Sequence, residues 1–303
     1  MASLQSTFLR FLLRSYITPH LTGSTIPELR SRMEASVRRV RPPAGTKISA
    51  VQADRVPAEW IATGTARTGW VMLYLHGGGF VAGSINTHRS LAARLSQASA
   101  TRTLVLDYRL APEHPFPAAL DDCLAAYRWL LYTGIPAWQI VIAGDSAGGN
   151  LTLATLLALR QAGDALPAAA VCLSPPTDLA WTGESIRTKA RHDPLLRPEL
   201  GRSWVEAYIG TNDPCLPLIS PLYADLHGLP DLLIHVGSDE ILLSDAIRFA
   251  ERAGAAGVDV QLEVWPHMWH VWHAFAPYLP EAQHAIAQIG DFVQRHLELV
   301  RVS

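Results

Sequence analysis

Two short glycine-bearing motifs carry the residue types that acyl-transfer chemistry needs. Gly144-Asp145-Ser146-Ala147-Gly148 follows the apolar run Gln139-Ile140-Val141-Ile142-Ala143 and leads into a small-residue helical stretch from Asn150 onward. A strand turning sharply into a helix leaves a serine hydroxyl exposed in a strained backbone, and flanking glycines remove the Cβ atoms that would clash. G-x-S-x-G in that setting reads as a nucleophile elbow, with Ser146 as the candidate nucleophile. Upstream, His76-Gly77-Gly78-Gly79-Phe80 closes a second apolar run, 70–75. Negative charge develops on a carbonyl oxygen during acyl transfer, so preorganised N–H donors are required. Gly77 and Gly78 can supply two through bare backbone, and Ala147, at the helix start, is the expected third. From average residue usage, the serine motif should arise by accident about 0.1 times in such a chain and the histidine–glycine motif about 0.002 times. It is the pair, therefore, that carries the signal.

A serine hydroxyl needs an adjacent imidazole, and the imidazole needs an acid to hold its tautomer. In the order Ser, acid, His, the run Leu232-Leu233-Ile234-His235-Val236 is followed by Gly237-Ser238-Asp239-Glu240. Asp239 follows the strand directly and is the candidate acid; Glu240 lies one residue further, and Asp245 begins a helix, where acids are common for the dipole. Three histidines, His267, His270 and His273, follow the last strand at intervals of three, and spacing alone does not choose among them. A histidine cluster can bind zinc, but no second His/Cys cluster or fourth-ligand pattern accompanies this one, so no metal is expected.

These residues must be positioned by strands. Apolar runs at 70–75, 104–108, 140–143, 169–173, 232–236 and 260–264 alternate with helical patterns such as 118–131 and 245–256, the latter with Ser244 as N-cap. Two weaker strands, 47–51 and 59–63, precede them. The alternation predicts a mostly parallel α/β sheet of eight strands with helices on both faces, ligands binding at the strands' C-terminal ends. Two segments break it. Residues 1–45 read as two helices, the first amphipathic with arginines opposite its apolar face and the second over 26–40. Residues 176–226 separate two strands by far more than a connection needs and carry Trp181, Trp204, Tyr208 and Ile209, as a lid would. The expected organisation is 1–45 as the N-terminal part of a helical cap, 46–175 and 227–303 as core, and 176–226 as cap insertion.

The 303 residues are 49% hydrophobic and 17% charged, with a formal net charge of −2, enough for a large core and no basic field for nucleic acid. Cys123, Cys172 and Cys215 lack metal-ligand spacing and are expected as buried thiols. No segment approaches the roughly 20 apolar residues of a membrane span, no cleavage site follows the N-terminal apolar stretch, and a cytoplasmic location is expected.

His76-Gly77-Gly78-Gly79-Phe80, the run from Asp107-Tyr108-Arg109-Leu110-Ala111-Pro112-Glu113 to Ala119, Gly144-Asp145-Ser146-Ala147-Gly148-Gly149 and Met268-Trp269-His270 together closely resemble the hormone-sensitive-lipase-like carboxylesterases, bacterial family IV, GDSAG subgroup. The resemblance covers the chain from about Trp70 onward. It implies the α/β-hydrolase fold, Ser146, Asp239 and His270 as a triad, and Gly77, Gly78 and Ala147 as oxyanion donors, which selects His270 among the three histidines. It further implies hydrolysis of short- to medium-chain acyl esters without a cofactor, and a homodimer formed through the sheet's edge. Phe80, Asp145, Trp204 and Tyr208 are the candidates for substrate contact, with lid core as the competing role for the last two. His76 is expected to hold the glycine loop, and the proline-rich stretch 112–117 to pack under the site with Glu113 structural. An amidase or peptidase would use the same machinery, and a non-catalytic small-molecule receptor could use the same scaffold.

Overall fold

The alternation of apolar runs closes into one eight-stranded sheet in the computed structural model, which describes residues 3–18 and 23–299. Its strands are β1 (Lys47–Ala53), β2 (Val56–Ala62), β3 (Val71–Leu75), β4 (Arg102–Leu106), β5 (Ile140–Asp145), β6 (Ala169–Leu173), β7 (Asp231–Gly237) and β8 (Val260–Trp265). They lie in the order β1-β2-β4-β3-β5-β6-β7-β8. β2 runs antiparallel to both its neighbours, and all other adjacent pairs are parallel. β3, β5 and β6 are buried along their whole length, as strands covered on both faces must be.

Alternate residues of β3 feed two separate cores. Val71, Leu73 and Leu75 pack with helices α4 (Ala118–Tyr132), α5 (Ala147–Ala162) and α8 (Leu243–Ala255), whereas Met72 and Tyr74 pack with α3 (Ile85–Ser99) and α9 (Pro280–Leu299). α8 starts earlier than its sequence pattern implies. Ser244 therefore lies inside it rather than capping it, and exchanges hydrogen bonds of 2.8 and 2.9 Å with Ser185, tying α8 to the short helix α6 (Ser185–Thr188).

The N-terminal segment comprises α1 (Leu4–Leu12), a π-helical turn at Leu13–Ile17, and α2 (Ile26–Val37), which opens on a Thr25–Glu28 capping box and stops three residues short of the expected end. α1 does not present a single apolar face to the core, although Leu9 packs inward. Leu4, Phe8 and Phe11 are exposed, while Arg10 turns inward. The reason lies in its partners, since loop carbonyls and a carboxylate beneath the helix need a cation.

The segment between β6 and β7, the expected cap and so named below, carries α6 and α7 (Pro198–Ile209). It packs over the strand ends through Tyr208, whose ring stacks on Phe80 at 3.8 Å and whose carbonyl accepts the Phe116 N–H at 2.8 Å. The proline-rich stretch, with cis bonds at Ala111-Pro112 and Phe116-Pro117, is pinned from α2 by Arg30, which holds Glu113 bidentately and the Ala111 and Val81 carbonyls. Cys123 and Cys172 are buried, but Cys215 is exposed, contrary to expectation. Among the described residues no helix is long and apolar enough to cross a membrane.

Candidate active site

Ser146 sits between β5 and α5 at φ 51°, ψ −121°, with its N–H bonded to the Leu173 carbonyl at 2.7 Å. The flanking glycines are sterically required at this turn. A Cβ at Gly144 would stand 2.3 Å from the Gly148 carbonyl oxygen, and one at Gly148 would stand 1.9 Å from that of Leu75. The local sequence thus forces the hydroxyl out at the C-terminal edge of the sheet, where β6, β7 and β8 also end.

His270 meets it there. Its Nε2 lies 2.9 Å from Ser146 Oγ. Its Nδ1 lies 2.8 Å from Glu240 Oε2, so the acid on the imidazole is Glu240 and not Asp239. Asp239 instead turns outward and forms a 2.9 Å ion pair with Arg10. The difference arises where β7 ends: Gly237 packs so closely on the Met268 carbonyl that a Cβ would come within 2.3 Å, and the chain then turns, sending 240 rather than 239 inward. Glu240 is fully buried, and its other oxygen accepts the Ser174 hydroxyl at 2.9 Å and the Gly237 N–H. Ser174 Oγ also accepts the Val271 N–H at 3.1 Å, so one hydroxyl joins the acid to the histidine loop. Burial alone would lower the pKa of His270, but the hydrogen bond and charge of Glu240 outweigh it and raise it above the ordinary imidazole value. The other two histidines part company with the site. His267 is exposed, and His273 is buried with its Nε2 3.2 Å from His235 Nδ1.

On the other side of Ser146 lies the glycine loop. The Gly77 N–H is already donated to Asp145 Oδ1 at 3.1 Å, so it is not available to an oxyanion, against expectation. Among the described residues no acceptor engages the N–H groups of Gly78, Gly79 or Ala147. Asp145 is likewise engaged within the protein. It is buried, accepts the Tyr74 hydroxyl at 2.6 Å and lies 3.3 Å from His88 Nε2. Burial would raise its pKa, but His88, together with the Tyr74 hydrogen bond, brings it down to about 2, and Asp145 in turn raises that of His88. His76 is buried between the rings of His88 and Tyr108, with Nδ1 2.8 Å from the Gly77 carbonyl; burial lowers its pKa to about 3, leaving it neutral.

The remaining expected contact residues divide. Phe80 and Tyr208 are stacked on each other and almost wholly inaccessible, so neither offers a face to a ligand. Trp204 is half-buried against the glycine loop, where a Cβ on Gly79 would fall 2.6 Å from its ring. Of the residues the geometry brings in, Ser174 lies outside every motif, Glu240 stands one residue behind the favoured Asp239, and Gly79 sits in the glycine motif with no donor role assigned to it there. The one available signal for Glu240 was the apolar Ile241-Leu242 pair after it, which is buried and draws the chain inward.

Comparison with known proteins points to the same fold. A family model described as the α/β-hydrolase fold matches residues 72–274. An acetyl-hydrolase of Streptomyces hygroscopicus is 47% identical over 237 residues, 78% of this chain and 79% of its own. An esterase of Acinetobacter venetianus is 40% identical over 248 residues, 81% of this chain and 80% of its own. The crystal structure of an esterase from the bacterial hormone-sensitive lipase family superposes with a TM-score of 0.94 at 46% identity, covering 98% of this chain and 99% of that one.

Proposed function

The chain belongs to the α/β-hydrolase family, among the hormone-sensitive-lipase-like esterases, and on that footing we propose that it hydrolyses short-chain carboxylic esters through Ser146, His270 and Glu240. The observation that carries this reading is the continuous relay from Ser146 Oγ to His270 Nε2, 2.9 Å, and from His270 Nδ1 to Glu240, 2.8 Å.

In the first half-reaction His270 Nε2 takes the hydroxyl proton as Ser146 Oγ bonds to the ester carbonyl carbon. The tetrahedral oxyanion is met by the N–H groups of Gly78, Gly79 and Ala147, which have no other acceptor among the described residues. Glu240 fixes the Nδ1–H tautomer and stabilises the imidazolium without taking its proton. His270 then gives its proton to the departing alkoxide oxygen as the carbon–oxygen bond breaks, leaving an acyl-serine. In the second half-reaction His270 deprotonates water, which attacks the same carbon, and the proton passes back to Ser146 Oγ as the acid leaves. Trp204, lying over Gly79, supports a short acyl chain, because an indole beside the oxyanion loop limits the room for one.

A p-nitrophenyl ester series from acetate to decanoate tests this. Turnover should be greatest for the short members, and Ser146→Ala should lose at least about 10³-fold in kcat. Wild-type turnover by Ser146→Ala would sink the reading.

A further inference from the structure

Asp193 is a fully buried carboxylate of the cap, lying between α6 and α7. Among the described residues no basic side chain forms an ion pair with it. It is held instead by three backbone N–H groups. Oδ1 accepts from Leu195 at 2.9 Å and Leu196 at 3.1 Å, two amides of its own loop. Oδ2 reaches out of the cap and accepts from Ile241 at 3.3 Å. Ile241 comes immediately after Glu240, so this contact grips the peptide next to the acid that bears on His270. A carboxylate removed from water with no cation is costly, and its place directly behind a reacting pair asks for an explanation beyond loop architecture.

We infer that Asp193 is a positioning residue of the hydrolytic centre: by holding the Ile241 N–H it fixes Glu240 on His270 Nδ1, and it sets a second negative charge behind the imidazolium formed during attack. This rests on the reading of Ser146, His270 and Glu240 as the reacting relay. It also makes the relay depend on the cap, since neither Ser146 nor His270 nor Glu240 comes from that segment.

The charged groups facing this cluster agree with the assignment. His270 feels Glu240, Asp193 and Asp145, all favouring its protonated form, and His273 is its near neutral neighbour. Asp193 feels His270 and Glu240, while Arg14 approaches from α1's side of the loop. Burial raises the pKa of Asp193 to about 6, with Glu240 adding to the rise and His270 opposing it. Because His270 is held above its ordinary value, it takes up its proton while Asp193 is still ionised as pH falls. Removing the Asp193 charge must then lower the pKa of His270 and move the acid limb of activity to lower pH.

Asp193→Asn tests both parts. The amide keeps an oxygen for Leu195 and Leu196 but turns an N–H toward that of Ile241, so the grip on the acid loop is lost along with the charge. The expected result is a fall in kcat of roughly 10- to 100-fold with KM nearly unchanged, and an acid limb of kcat/KM shifted to lower pH. The low-field NMR resonance of the His270 Nδ1–H should move with it. Asp193→Glu, which restores the charge, should return the acid limb toward wild type. A folded Asp193→Asn with wild-type kcat and acid limb overturns the inference, as does a loss confined to KM with the limb unmoved. Should Asp193→Asn fail to fold, Asp193→Glu decides alone: lowered kcat at an unshifted limb supports the role, and wild-type kcat refutes it. Failure of the relay itself would instead appear as activity in Ser146→Ala, a separate result.

Discussion

The two flanks of Ser146 are built by different means. On one side, the nucleophile turn and the glycine loop grow directly from β3 and β5, adjacent parallel strands, and glycine sterics within a few residues of each turn dictate their shape. On the other side, the acid and the imidazole are brought together by pieces from across the chain: Ser174 after β6, Glu240 after β7, the loop before His270, Asp193 from the cap and Arg10 from α1. The first flank is a local consequence of sheet and turn, the second a product of long-range hydrogen bonds. Sequence motifs report the first kind well and the second kind poorly.

The sharpest way to break this contrast is to exchange the roles of two adjacent acids. Glu240→Ala removes the carboxylate from His270 Nδ1 and should lower kcat about 10³- to 10⁴-fold, measured on a p-nitrophenyl ester with KM followed in parallel. Asp239→Ala removes only the partner of Arg10 and should stay within several-fold of wild type. If Asp239→Ala proved the more damaging, the relay would run through the residue that placement after β7 favoured, and the inward turn at Gly237 would have no catalytic meaning.

The contrast also explains which parts of the molecule are legible in the sequence. The sheet, its eight strands and Ser146 could be read because apolar periodicity and elbow glycines are local signals. Asp239 and Glu240 could not be separated that way: the period of two that orients side chains along β7 ends at Gly237, and the direction of the next residues is set by the Met268 carbonyl, far along the chain. Gly77 follows the same rule, because its N–H looks free in sequence while Asp145, at the end of another strand, accepts it. The same holds for α1, whose arginines look like a solvent face until the carbonyls of His192 and His267 appear beneath Arg10.

A medium effect is expected on the sheet-built flank. Asp145→Asn keeps the shape but removes the charge that holds Gly77, Tyr74 and His88 together under the oxyanion loop. Loosening that loop should lower kcat about 10- to 100-fold without a comparable change in KM. Stability should respond with a defined pH signature. The depressed Asp145 contributes stability above the ordinary carboxylate range, lost as pH falls toward about 2; the raised His88 contributes below its ordinary imidazole range, lost as pH rises through its folded value. The deficit of the variant in urea unfolding should therefore be largest between about pH 4 and 6.5. A deficit independent of pH would show that the pair is not ionised as a unit.

The smallest effect should come from the N-terminal helix, and it asks how far the long-range flank extends. Arg10 donates to the His192 carbonyl at 3.1 Å and to that of His267, pairs with Asp239 at 2.9 Å, and lies 5.4 Å from the centre of the Trp269 ring. It thus touches the cap loop before Asp193, the acid loop before Glu240 and the loop before His270, yet no reacting atom. Arg10→Ala takes the guanidinium from the His267 carbonyl and the Asp239 carboxylate, while the His192 carbonyl keeps Arg14 at 2.8 Å, at a cost of about 1–3 kcal/mol in unfolding free energy. Its effect on kcat should be only several-fold, because Ser174 and Asp193 still hold Glu240. Amide hydrogen exchange should quicken at 190–196 and 238–241 while staying at wild-type rates along β3 and β5. Faster exchange spread evenly over both flanks would instead mean that α1 stabilises the whole domain and not the acid side in particular.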